Sequence, residues 1–246
     1  MPDFRCASCG KIHSIADESA RAHCLKLMDR LKLCGSLDFE HPGSETDQRL
    51  STLPLFGEGR GQMFGILVCA PPIPGGQEII LKAFSGQFNG IWEIPGWAPP
   101  LLDPAIFDAA VKLADPAIKA LSTEIDARSP GIERRTLIEK RRILSQLHMR
   151  EIHDMYTIRN FKDETTSLFA LFSGRIGIPA GTGDCCAPKL LNYASLHGLK
   201  PLSLAEFFWG RENRSATKQH RGFYAPCNDK CAPILGYMLC GADNED

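Results

Sequence analysis

No stretch of this 246-residue chain approaches the run of about 18 apolar residues that a bilayer span requires, so no transmembrane helix is expected. The opening "MPDFRCASCGKIHS" lacks the apolar segment of a signal peptide, which makes a reducing cytoplasm the expected compartment. Neither sign of charge dominates. Against 28 Lys and Arg stand 29 Asp and Glu, a net charge of −1, so any surface that attracts nucleic acid must be local. Internal repeats and low-complexity tracts are lacking too. The glycine-rich stretches "GTGD" and "PLFGEGRGQMFG" have no Gly-Lys-Ser/Thr after them and read as turns rather than nucleotide-binding loops.

Cysteine, by contrast, is plentiful, with ten in the chain. Hydrophobic residues make up 43% and charged residues 23%, a globular composition that builds a core without disulfide staples. In a reducing compartment the cysteines are therefore expected as core residues, metal ligands or reactive thiols.

The hydrophobic pattern predicts an α/β fold: a mixed β-sheet flanked by helices in three layers, with an inserted helical hairpin. Residues 1–50 read as an N-terminal Cys-x-x-Cys element, a helix over "ESARAHCLKLMDRLKLCG" and a linker. Ala20, Cys24, Leu27, Leu31 and Cys34 fall on one helical stripe, closed by Gly35. Residues 51–246 read as the α/β domain. Its strands are expected at "MFGILVCA", "QEIILKAFSG", "GIWEIPGW", "LKPLSLAEFFWG" and "RGFYAPC". A hairpin over 104–162 is formed by "PAIFDAAVKLADPAIKALSTEIDA", bent at Pro116, and a long second helix running to Phe161. Leu137, Ile138, Ile143, Leu147, Ile152 and Met155 supply the second helix's apolar stripe. Its arginines, interleaved with Glu133, Glu139 and Glu151, read first as a solvated, ion-paired face and second as an RNA-contacting arm.

Residues 165–246 carry the expected chemistry. Cys185 and Cys186 stand at the start of the helix "APKLLNYASLHG". Cys227 and Cys231, four apart, lead into a second helix, "NDKCAPILGYML". Two helix starts side by side at a sheet edge would bring three thiolates together. That is a zinc ligand set with one position left for water. If Cys186 joins as a fourth ligand, the site closes and the zinc is structural. Asp184 and Glu206 are the candidate proton carriers. Glu206 stands out because it lies in the apolar strand "SLAEFFWG", where a carboxylate is costly unless paired or used. Lys189, His220, Trp97 and Trp209 are candidate substrate contacts: the lysine for a phosphate, the histidine as a lone loop group, the indoles for stacking on a base. Near the N-terminus, Cys6 and Cys9 form a zinc-knuckle turn that His13 and Cys24 can complete as a second metal site.

The order of helix-start cysteine, strand, then "PC…C" at the next helix start resembles the zinc nucleobase deaminases, whose signature is H-x-E…P-C-x-x-C. The chain departs from that signature in two ways. Three residues, not two, separate Cys227 from Cys231, and "DCCAP" stands where His-x-Glu would. A second resemblance rests on longer motifs: "FGILV", "LKAFSGQFNGIWEIPGWAPPL", "GTGDCCAPKLLNYASLHGLKPLSLAEFFWG" and "FYAPCNDKCAPILGYML". Together these are similar to the cysteine-containing N-terminal region of long RluA-type pseudouridine synthases, over roughly residues 50–240. The synthase domain, with its "HRLD"-type motif, is absent. This resemblance implies an RNA-modification setting, with RNA or nucleotide as substrate and an RNA-modification enzyme as partner.

The leading expectation is thus a zinc-dependent deaminase-like domain acting on a nucleobase. Its rival is a non-catalytic structural-zinc module for RNA binding or docking. A third class, a thiol-redox protein using the vicinal pair Cys185 and Cys186, is disfavoured because vicinal cysteines rarely bridge without strain.

Overall fold

In the computed structural model, residues 3–40 and 47–242 are described. The ends of the two expected segments, and residues 41–46 of the expected linker loop, lie outside them. Strand β3 (Gln62–Cys69) is the middle of a three-stranded antiparallel sheet, between β4 (Ile79–Phe84) and β7 (Pro201–Trp209). Side chains of successive strand residues point to opposite faces. Phe64, Ile66 and Val68 therefore face one core with Ala205, Phe207 and Trp209. Met63, Leu67 and Cys69 face the other with Leu204 and Phe208.

Helix α1 (Glu18–Cys34) covers the first face with Ala20, Cys24, Leu27, Met28 and Leu31, and stops at Gly35, whose φ of 61° is the left-handed conformation glycine tolerates. Cys34 was expected on this stripe but is exposed. Helix α5 (Cys186–Leu196) covers the second face through Leu190 and Leu191, and helix α6 (Ala232–Met238) packs against α5, extending the same core with Ile234 and Met238. The result is the expected helix–sheet–helix layering. Its strand pairs are all antiparallel; the parallel contact is a single bridge between Ala16 and Ser203. A two-residue hairpin, β1 (Phe4–Arg5) with β2 (Ile12–His13), packs against α6.

The helical hairpin is α2 (Pro104–Asp126) and α3 (Ile132–Asp154). Asp103 caps α2 through the Ala105 and Ile106 amides, and the helix continues through Pro116. The second arm is shorter than expected. It ends at Asp154, and Thr157–Arg159 instead forms β5, paired with β6 (Thr165–Ser167) ahead of the single-turn helix α4 (Leu168–Leu171). The β-branched residues Thr157 and Ile158 favour that pairing once Ile158 is fully buried. The expected apolar stripe of α3 is only partly used: Ile152 is buried, whereas Ile143 and Leu147 are exposed. Arg142 pairs with Glu139 on the solvent side, as a solvated face requires.

Two expected strands are not regular strands. In "GIWEIPGW", Ile91 makes one bridge to Phe88, and Trp92, Ile94 and Trp97 turn into the core while Glu93, Pro95 and Gly96 stay exposed. In "RGFYAPC", Phe223 bridges Phe207, and Tyr224 N–H donates to the Glu206 carbonyl, so the segment runs along β7 without forming a full ladder.

Candidate metal centres and the carboxylate beside them

Cys185 is the N-cap of α5, Cys231 is the N-cap of α6, and Cys227 lies one turn ahead of it, its carbonyl accepting from the Cys231 and Ala232 amides. The packing of α6 on α5 brings these two helix starts together. The Sγ atoms of Cys185, Cys227 and Cys231 all lie within 4.8 Å of one another, with Cys227 and Cys231 3.6 Å apart. Three sulfurs bound tetrahedrally to one zinc ion would stand roughly 3.8 Å apart, so this set fits a metal ion. Hydrogen bonding among the three sulfurs holds the Cys227 thiol well below its usual pKa and pushes Cys185 and Cys231 up.

Cys186 takes no part in the cluster. It is fully buried and its Sγ donates to the Met63 carbonyl at 3.4 Å, which removes it as the fourth ligand. The cause is local: one residue further along a helix start turns the side chain by about 100°, here from the cluster to the sheet. Gly65 makes room for it. A Cβ on Gly65 would lie 2.7 Å from the Cys186 Cβ and 3.4 Å from the Glu206 Cγ.

Glu206 is cross-strand partner to Gly65 and lies on the α5 face of β7. Its Oε1 accepts the Ala187 amide at 2.7 Å, capping the first turn of α5. Burial raises its pKa to about 7, against that hydrogen bond, which lowers it. Glu206 is also one of the residues lining a cavity of about 340 Å³, with Leu204, Tyr224, Ala225 and Pro226, the last next to Cys227; the Asp17–Arg21 ion pair lies on the same lining. Asp184 is placed otherwise: its Oδ1 accepts the Tyr156 hydroxyl at 2.6 Å, and burial raises its pKa. Tyr156, which no motif signalled, holds this loop closely enough that a Cβ on Gly183 would meet its ring at 2.7 Å.

Three of the four expected substrate contacts are corrected. Lys189 is fully buried, its Nζ donating to the carbonyls of Phe84 and Gly86 at 3.0 and 2.7 Å, so it ties α5 to the end of β4 and offers nothing to a phosphate. Trp97 is buried between Phe64 and Phe84 with its Nε1 on the Leu37 carbonyl. Trp209 is buried on the α1 face. His220 stays exposed, its ring tilted against the Trp209 indole at 4.5 Å between centroids and its Nδ1 accepting the Gly210 amide. The alternation of β7 turns Trp209 inward, and packing against Phe64 and Phe84 takes Trp97 inside.

A second cluster lies between the two chain ends. Ligand atoms of Cys6, Cys9, His13 and Cys240 all lie within 4.8 Å of one another and can hold a metal ion. Cys24 is corrected: it is buried under α1 with its Sγ 3.6 Å from the Ala205 carbonyl, and Cys240, buried at the edge of the core, stands in its place. Spacing carried no signal for Cys240, which reaches the knuckle only because α6 packs on β1.

Comparison of the chain with protein-family models, with curated proteins and with solved structures gave no match.

Proposed function

We propose that the chain is a zinc-dependent, deaminase-like hydrolase acting on a nucleobase in RNA or in a nucleotide. The observation that carries this reading is an incomplete ligand set beside a buried acid. Three cysteines converge, the fourth candidate faces the core, and Glu206, with a pKa raised to about 7, lines the adjoining cavity. Cys185, Cys227 and Cys231 would hold the ion. When bound, zinc supplies a Lewis acid that brings the pKa of water toward neutrality. Glu206 is poised near neutral pH to take a proton and return it to a ring nitrogen or a departing amine. At about 340 Å³ the cavity is at the small end of ligand sites, a size for one base rather than an extended ligand.

Support for an RNA substrate comes from a groove of about 880 Å³ where α3 meets α4. Arg141, Arg142, Arg150 and Arg175 line it with Phe169 and Phe172. Cations beside aromatic faces suit phosphates and stacked bases. The loop from Arg175 leads to Cys185. The cytoplasmic setting and an RNA-modification enzyme as partner belong to this proposal. Among the described residues no helix is long and apolar enough to cross a membrane.

The test is Glu206→Gln assayed on cytosine and adenine in single-stranded RNA and in nucleotides. An amide oxygen can keep the Ala187 bond, so the variant is expected to fold, retain zinc and lose deamination. Retained activity would remove Glu206 from its assigned role. A wild type that holds zinc but deaminates none of these substrates favours the structural module, for which the Glu206 cap on Ala187 is sufficient reason for the carboxylate.

A further inference from the structure

We propose that Cys6, Cys9, His13 and Cys240 hold a resident structural zinc ion that joins the two ends of the chain. Four protein ligands fill a tetrahedral ion and leave no place for water, the pattern of a structural site. The local backbone is already that of a metal knuckle. The Cys9 amide donates to the Cys6 Sγ at 3.4 Å, the Gly10 amide to the Cys6 carbonyl, and the Cys6 amide to the Lys11 carbonyl. Gly10 turns the loop with φ of 71°. The Cys9 Sγ lies 3.2 Å from the His13 Nε2.

Stability points the same way. β1 and β2 have two residues each, too few for a hairpin to stand alone in water. Yet Phe4, Cys6 and His13 are buried. An ion bound to Cys6, Cys9, His13 and Cys240 supplies the missing constraint. It also closes a very long loop, the arrangement in which a cross-link removes most entropy from the unfolded chain. The contact it secures is intimate: a Cβ on Gly236 of α6 would meet the Arg5 carbonyl oxygen at 2.3 Å and the Cys6 nitrogen at 2.9 Å. A thiol-redox pair is the competing use of these cysteines, but it leaves His13 and Cys240 without a reason to converge on them.

The experiment is metal analysis of the full chain purified without chelator, with cobalt substitution as the spectroscopic readout. With both clusters filled, the wild type holds two zinc ions per chain and Cys24→Ala keeps both. Cys9→Ala holds one. His13→Cys is the variant that preserves a closed site and so keeps the test open even where Cys9→Ala unfolds the N-terminal hairpin. It keeps both ions and adds one thiolate–cobalt bond, so the charge-transfer absorption rises. The proposal is overturned by two ions retained in Cys9→Ala, by a cobalt spectrum of His13→Cys identical to wild type, or by a wild type holding one ion that Cys227→Ala loses. None of these readouts depends on deamination, so they stand apart from the test of Glu206.

Discussion

Cys231 and Cys240 stand at opposite ends of one helix. Cys231 is the N-cap of α6 and belongs to the three-cysteine cluster; Cys240 lies two residues past Met238 and belongs to the Cys6–Cys9–His13 cluster. A short helix held at one end by a metal delivers a ligand at its other end. Ions bound in both clusters would therefore be mechanically linked through α6.

The link has a measurable consequence. Cys9→Ala frees the end of α6, and the affinity of the three-cysteine site is expected to fall about tenfold or more, as when a group that orients a ligand is lost. Competition with a chromophoric chelator on wild type and Cys9→Ala measures it. Equal affinities would show that α6 holds Cys231 in place without help from the second ion.

The contact of α6 with β1 is tested at Gly236. With backbone atoms of Arg5 and Cys6 inside the space of a Cβ, Gly236→Ala must push the helix away. Overpacking of this kind costs about 1–3 kcal/mol. The expected outcome is a lower Tm for the metal-loaded protein and faster zinc loss on chelator challenge. A Tm equal to wild type would mean that β1 moves freely with respect to α6.

Lys189 provides a pH test. Burial lowers its pKa from 10.5 to about 8. The unfolded chain therefore binds more protons than the folded chain between about pH 8 and 10.5. Lys189 contributes stability that is fully present above pH 10.5 and is lost as pH falls through about 8. Lys189→Met is expected to flatten that part of the stability profile relative to wild type. It is also expected to cost about 1–3 kcal/mol, because the Phe84 and Gly86 carbonyls lose their donor. Denaturant unfolding across this pH range, read as the difference between the two proteins, checks both.

Much of the fold follows from local pattern. The apolar run of β3, the helical spacing of α1 and the proline in the first turn of α5 act over a few residues, and each element forms where its pattern lies. The convergence of Cys185, Cys227 and Cys231 was legible for the same reason: each stands at a helix start, and two helix starts on one side of a sheet leave few arrangements. The end of α3 was not legible, because the pairing of Thr157–Arg159 with Thr165–Ser167 competes with a helical pattern that runs through it.

By itself, then, the sequence determined the layering, the three-thiol cluster and the placement of an acid, Glu206, in an apolar strand. Tertiary structure alone decided which neighbours those groups meet. Cys186 turns to the core because Gly65 leaves space there, Lys189 finds two carbonyls at the end of β4, and Trp97 fills the gap between two phenylalanines. Cys240 rather than Cys24 completes the second cluster because a contact between chain ends is set by packing of α6 on β1. Spacing along the chain specifies which side chains share a face. It does not specify which distant segment will lie against that face.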